Sequence, residues 1–438
     1  MTNSTESWSD QSDRAGGPAH DARATALFDH DDLKAWHRII DRLHLTHDLL
    51  DQAERNARRN RTAIQSEILA SGLVDEIELY RGLADELDLS FSEAIDPDDI
   101  VTGERECRQL LGSPSLTPAA RLRGKHLSTE LVIATDRLPL RRFKQFLDRY
   151  PALRHRLRVV PRKAMRAALF ARSGNVLMQE ATGQLFVDRP EMSARTVATA
   201  RQGFLLALAG LLTAQLLLLF TNTTLLCVHI ASSLFFFGCV ALRGAALVTA
   251  APNRFSDLPR SSPAEMPTYS VLVALYREAE IVPELLVALS SILWPRSKLE
   301  IKLVCEADDT ETLEALRAQT LRPWVEIIEV PPLGPRTKPK ALAYALPSVS
   351  GEFVALFDAE DRPHPAQLLE AWQTFRDLPP SVACLQAPLD ISNKSRSLVA
   401  RMFGIEYSAL FHGLLPFLSR WRLLIPLGGT SNHFRGIR

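Results

Sequence analysis

The chain has 438 residues, long enough for two or three domains, and its 51 basic residues are balanced by 51 acidic ones. That balance leaves no global field to draw in nucleic acid or a strongly acidic partner. Its five cysteines, Cys107, Cys227, Cys239, Cys305 and Cys384, show no C-x-x-C or other ligand spacing. This argues against a disulfide scaffold and a structural zinc site, and fits a reduced compartment.

The N-terminus is polar and has no apolar core of a secretory signal, so residues 1–34 read as a disordered tail. Residues 35–170 read as a small soluble domain, mainly helical with some strand. Trp36, Ile39, Ile40 and Leu43 share one helical face, as do Ile77, Tyr80, Leu83 and Leu87. Between them, Ile64 to Ala70 reads as a helix ended by Gly72, and Asp75 with Glu78 can cap the next. Leu131 to Thr135 is a short strand candidate, followed by a basic helix from Leu140 to Tyr150. The stretch SEILASGLVDEIELYRGLADELDLSF, with its helix-Gly-helix pattern, resembles the small N-terminal domain of type II secretion ATPases. Some relatives bind a cyclic dinucleotide through a repeated Leu-Gly motif; Gln65 to Leu69 departs from it, so that ligand is not expected. His37, His44 and His47 read as surface and core residues rather than metal ligands.

Residues 171–202 read as a linker into the apolar middle, placed at 203–250. Gly203 to Phe220 runs eighteen residues without a charge, and Thr224 to Leu242 nineteen more with only His229 titratable. Each is close to the roughly twenty residues that span a bilayer. Thr221 to Thr223 would form a polar hairpin between two membrane spans. Arg189, Arg195 and Arg201 precede the first span, and Arg243, Arg254 and Arg260 follow the second. The positive-inside rule then puts both flanks in the cytoplasm, which predicts a multi-pass protein of a bacterial-type inner membrane. The competing reading is a buried helical hairpin of a soluble protein. Residues 251–267, rich in proline, read as a second linker.

From residue 268 onward, strands and helices alternate. Tyr269–Leu275, Ile301–Cys305, Glu326–Val330, Phe353–Phe357 and Ala383–Ala387 read as strands. The helices between them follow Val282, Thr310, Lys340 and Pro365. This is a doubly wound α/β pattern with a largely parallel sheet. No G-x-G-x-x-G follows the first strand, and no G-x-x-x-x-G-K-[ST] occurs, which disfavours a dinucleotide-binding oxidoreductase and a P-loop ATPase. The strand ends carry the polar residues instead: Tyr276, Arg277 and Glu278, then Glu306, Asp308 and Asp309, then Asp358, Glu360 and Asp361. Lys338 and Lys340 precede the last group. In open α/β sheets this edge binds ligands, and hard carboxylates there suit Mg2+ or Mn2+ bridging a diphosphate. The plain alternative for D-x-E alone is a solvated acidic turn.

The segments SVLVALYREAEIVPELLVALSSILWP, LVCEADD, TKPKALAYAL, FVALFDAEDRPHP, LQAPLDISN and LGGTSNHFR occur in that order over about 170 residues. Together they resemble the catalytic domain of processive membrane glycosyltransferases of family 2, the cellulose-synthase-like group. The resemblance implies a GT-A fold and a nucleotide-sugar donor, with a UDP-sugar expected. Tyr276, Glu278, Glu306 and Asp308 would line the base pocket, and Lys338 or Lys340 would lie near the diphosphate. Asp358 and Glu360 would hold the metal where the family has D-x-D. Gln386 would lie beside the donor sugar, and Gly429, Thr430, Ser431 and Asn432 on the side of a glycan acceptor. Leu398 to Leu418 resembles the family's interfacial helix at the membrane; an ordinary core helix is the alternative.

The family's inverting mechanism needs a carboxylate base from a T-E-D motif and a later Q-x-x-R-W. Neither occurs before Arg438, so the catalytic base stays unassigned. Three readings follow. The chain is a truncated membrane glycosyltransferase with impaired activity, or a partner chain supplies the missing half. The third is a non-catalytic membrane protein that binds a nucleotide sugar or a partner.

Overall fold

The computed structural model describes residues 30–112, 120–123, 129–249 and 261–436. Most of the expected tail and most of the second linker lie outside them.

The N-terminal region opens with α1 (His30–Arg42), α2 (His47–Asn60), α3 (Ile64–Ser71) and α4 (Glu76–Leu87). Gly72 closes α3 at φ +70°, a left-handed geometry that glycine adopts without steric cost. Asp75 caps α4 by accepting from the amides of Ile77 (2.8 Å) and Glu78 (3.2 Å). Trp36, Ile39 and Ile40 of α1 meet Tyr80, Leu83 and Leu87 of α4 in one core. Ile77, expected on that face, is exposed: burial follows Leu79, Tyr80, Leu83 and Leu87, leaving position 77 on the flank. A small sheet completes the region, in the order β1 (Ser90–Phe91), β4 (Leu157–Val159), β3 (Thr129–Ile133), β2 (Arg121–Arg123). Helices α5 (Glu104–Leu111), α6 (Leu140–Arg149), α7 (Arg162–Gln179) and α8 (Leu185–Asp188) surround and follow it.

Two long apolar helices come next, α9 (Ala200–Leu219) and α10 (Thr221–Thr249). Both are long and apolar enough to cross a membrane, and almost every described side chain on them is exposed. Thr199 and Gln202 form a capping box at the start of α9. The break between the helices falls at Phe220, so Thr221 to Thr223, expected as a hairpin, form the first turn of α10.

The last region is a six-stranded sheet in the order β7-β6-β5-β8-β10-β9. Its strands are β5 (Tyr269–Leu275), β6 (Leu299–Glu306), β7 (Val325–Val330), β8 (Phe353–Asp358), β9 (Cys384–Gln386) and β10 (Asn432–Arg435). β5 to β8 are mutually parallel; β10 runs antiparallel between β8 and β9. The helices are α11 (Val282–Ser290), α12 (Thr310–Arg317), α13 (Lys338–Ala345), α14 (Gln367–Asp377), α15 (Leu398–Ser408) and α16 (Leu415–Arg420). A π-helical turn, Ala409–Leu414, joins the last two, so the expected continuous helix is interrupted midway.

Period-two alternation sends the strand side chains to opposite faces. Val271, Val273, Ile301 and Leu303 enter one core with α11 and α14. Leu272, Val304, Ile328 and Val354 enter the other, against Ala341 and Tyr344 of α13 and against Met165, Leu169 and Leu177 of α7. The N-terminal region thus supplies one of the helices that cover this sheet.

Candidate functional site

The polar residues meet where β5, β6 and β8 end, at the carboxyl edge of the parallel strands. Asp358, the last residue of β8, accepts a hydrogen bond from the Lys338 ammonium, which also donates to the Gly429 carbonyl at 2.7 Å. The amide of Asp358 donates to Asp361 (2.8 Å) and to the Thr430 hydroxyl (2.9 Å), and Thr430 in turn donates to Asp361. The turn after β8 is thereby tied to the segment that enters β10. Burial pushes the Asp361 carboxyl above its ordinary value, with the Asp358 charge adding to it. Glu360 is exposed beside them.

Glu278 faces this group from the end of β5. Burial raises its pKa, and the charges of Asp358 and Glu360 raise it further. Its Oε2 is buried with no hydrogen-bond partner. Gln386 on β9 has both amide atoms buried and unpartnered, and Asn432, opposite it on β10, has an unpartnered Oδ1. A side chain on Gly428 would meet the Gln386 amide and push it from its present position. Buried polar atoms are nearly always satisfied, and four orphans along one edge mark a surface shaped for something polar.

The other expected residues have different surroundings. Glu306 and Lys340 form a buried ion pair at 2.6 Å, with Lys340 only 2% exposed and also donating to the Leu333 carbonyl at 3.0 Å. Neither charge is open to a ligand. Asp309 caps α12 and accepts from the Arg277 amide at 2.6 Å. Burial would raise its pKa, but these hydrogen bonds outweigh it and hold the carboxyl below its ordinary value. Asp308 pairs with Arg336, a residue the motif reading missed. Charge from Asp308 and a hydrogen bond with Tyr276 hold the Arg336 guanidinium in its charged form. Arg277 (φ 58°) and Ser431 (φ 54°) are left-handed, an uncommon conformation for such residues that concentrates at functional sites. Buried His433 is fixed between Tyr269 (2.7 Å) and Gln367 (3.2 Å), and burial lowers its pKa to about 4.

No group of three or more His, Cys, Asp or Glu side chains that could hold a metal occurs among the described residues. Asp358 and Glu360 carry oxygen donors of the kind a hard divalent ion takes, with Asp358 here held by the Lys338 ammonium. Mg2+ is commonly held by one or two carboxylates, its other positions going to water and substrate phosphate.

Residues 267–431 match the model of a family described as Glycosyltransferase like family 2. The fold over these residues is GT-A-like, so the chain carries a family-2-like glycosyltransferase domain. Among solved structures, a mannosyltransferase from Pyrobaculum calidifontis in complex with GDP-Man and Mn2+ is 26% identical, with a TM-score of 0.30. That match covers 37% of this chain and 47% of that one. TarS of S. aureus, residues 1–349 with UDP-GlcNAc, is 23% identical at a TM-score of 0.23, over 25% of this chain and 31% of that one. This chain therefore spans less than half of either structure. No curated protein matches it.

Proposed function

We propose that the chain binds a nucleotide-sugar donor at the carboxyl edge of the six-stranded sheet and serves sugar transfer to a glycan at a membrane. A UDP-sugar is the expected donor, and the motif order points to chemistry of the processive, cellulose-synthase-like kind. The observation that carries this reading is the convergence of Asp358, Glu360, Glu278 and Lys338 with the unpartnered amide of Gln386 and the unpartnered Oδ1 of Asn432.

Tyr276, Asp308 and Arg336 form the outer end, suited to a nucleoside base. Asp358 and Glu360 would hold Mg2+ or Mn2+, which when bound neutralises the diphosphate leaving group. Lys338, placed between Asp358 and the Gly429 carbonyl, brings a further positive charge to the same point. Gln386 and Asn432 offer donors and acceptors to the sugar, and Gly429 to Asn432 face the acceptor side. The exposed apolar surfaces of α9 and α10 support insertion into a bilayer, with both flanking regions cytoplasmic. The N-terminal region, whose SEILASGLVDEIELYRGLADELDLSF stretch suggested a secretion-ATPase-like domain, is given no chemistry in this reading.

A second reading, donor binding without transfer, rests on the occupancy of the acids. Asp309 caps a helix, Asp361 holds Thr430, and Glu306, Asp308 and Asp358 each hold a cation. Among the described residues, the acids at this edge without such a partner are Glu278 and Glu360, and this reading gives both to the donor and its metal rather than to an acceptor hydroxyl.

Replacing Asp358 with Asn is expected to abolish Mn2+-dependent UDP binding, measured by calorimetry on the purified membrane protein. Unchanged affinity would sink the metal assignment. Sugar incorporation from a UDP-sugar by the same preparation would decide for transfer over binding alone.

A further inference from the structure

The other end of the same sheet carries a second set of charges. A cavity of about 630 Å³ lies between the N-terminal region and the sheet, lined by the start of α4, the start of α7 and the starts of β6 and β7. Its size falls in the range of small-molecule pockets, roughly 300–1,000 Å³. β6 begins at Leu299 by the cavity and ends at Glu306 by the donor edge, a strand of eight residues. Seven steps at about 3.3 Å each put about 23 Å between the two.

The acids of this cavity are taken. Asp136 accepts from Arg162 at 2.8 Å, Glu326 from Arg166 at 2.9 Å and from Lys302, and Glu300 from Ser270 at 2.5 Å. Glu76 accepts from the Lys163 amide at 2.9 Å. Three arginines are only partly engaged. Arg137 comes no closer than 4.0 Å to Asp136, and its Nε has no hydrogen-bond partner. Arg296 donates to the Ser290 carbonyl at 2.8 Å but keeps a buried Nη1 without a partner. Neither Arg296 nor Arg322 has an ion-pair partner among the described residues. Arg296 is steadied by the Trp324 ring, 4.9 Å from its guanidinium carbon. Just behind, buried Lys298 is bonded only to the carbonyls of Pro263, Ala264 and Met266. Burial, then the charge of Arg137, lowers the Lys298 pKa to about 8. Burial and the charge of Arg322 likewise lower that of Arg296. Seven basic side chains line the cavity against six acidic ones, and the polar atoms of its lining left buried without a partner are those of the Arg137 and Arg296 guanidiniums.

We propose that this cleft binds a small soluble phosphate-bearing anion, held by Arg137 from the N-terminal region and by Arg296 and Arg322 from the sheet domain. Guanidinium groups pair with phosphate oxygens through two parallel N–H bonds, which supplies the acceptors that Arg137 and Arg296 lack. Drawing on both regions, the bound anion ties them together.

Inorganic pyrophosphate serves as the probe, titrated calorimetrically into the full chain in detergent. The titration is repeated on Asp358→Asn/Lys338→Met protein, which silences the donor edge. Binding is expected to persist in that background and to fall at least tenfold when Arg137→Gln and Arg296→Gln are added. Arg322→Gln alone, at an exposed position that the fold does not need, is expected to weaken it severalfold. No binding in the silenced background, or binding indifferent to all three arginines, overturns the proposal. Thermal unfolding of each variant separates a lost site from a lost fold.

Discussion

Lys338 and Lys340 are two positions apart and do different work. Both stand in the first turn of α13, where successive residues advance about 100°, so they face opposite ways. Lys340 turns inward to Glu306; Lys338 turns outward to Asp358 and the Gly429 carbonyl. Lys340→Met would leave Glu306 as an uncompensated buried charge, a loss on the order of 3–5 kcal/mol. Lys338→Met removes a half-exposed partner and should change stability by less than about 1 kcal/mol while weakening UDP binding. Urea unfolding and UDP titration of the two variants check this, and a reversed pattern would refute the division of roles. The motif named both lysines because it records residue types in order. Which lysine reaches the ligand depends on where α13 starts, and that is set by the Thr337 hydroxyl capping the Lys340 amide. The arginine partner of Asp308 was hidden for a similar reason: Arg336 lies in an irregular loop, twenty-eight residues along the chain.

At the scale of elements, buried strands were the most legible. Apolar runs located β5 at both of its ends and β8 to within one residue, as expected of strands buried on both faces. β6 and β7 were placed to within two residues although charges at Glu300, Lys302 and Glu326 interrupt their runs. β10 carries no such run. Asn432 to Arg435 is polar except for Phe434 and becomes a strand because β8 and β9 satisfy its backbone from either side. The turn between the apolar helices was also misplaced: threonine reads as a loop residue, yet the break falls at Phe220, and Thr221 opens the second helix while donating its hydroxyl back across the break to the Leu217 carbonyl at 2.7 Å. If the pair spans a membrane with both flanks inside, Asn222 lies at the outward tip. A cysteine placed there by Asn222→Cys, with Cys227 and Cys239 replaced by Ser, should react with an impermeant maleimide from the outer face of intact spheroplasts. Labelling that required the membrane to be opened would reverse the orientation.

The whole molecule is held together across its two soluble regions, which composition and linker patterns gave no means of seeing. One apolar cluster runs from Leu111 and Leu169 to Val304 and Val354, so the sheet lacks a finished core without α7. Arg166 is the polar fastener in that interface. It donates to Glu326 at 2.9 Å and 3.0 Å, and to the carbonyls of Leu111 (3.1 Å) and Ser348 (3.2 Å). Burial opposes ionisation of Glu300 and Glu326, but Lys302, Arg166 and Arg162 outweigh it, holding Glu300 at about 2 and Glu326 lower still. Because both are depressed from an ordinary value of about 4.3, their contribution is complete above that pH and is lost as pH falls toward 2. The chain should therefore unfold in one cooperative transition at pH 7, with a melting temperature that drops steeply below about pH 4.3. Arg166→Met should cost on the order of 3–5 kcal/mol at pH 7, since it strands Glu326 and two carbonyls. It should also flatten the acid dependence, because the carboxylate pKa values move back toward normal. Calorimetric scans of both proteins from pH 7 to pH 3 make the comparison. Two independent transitions in the parent chain, or an Arg166→Met protein with the parent's melting temperature, would show that the regions fold apart and that this interface carries no stability.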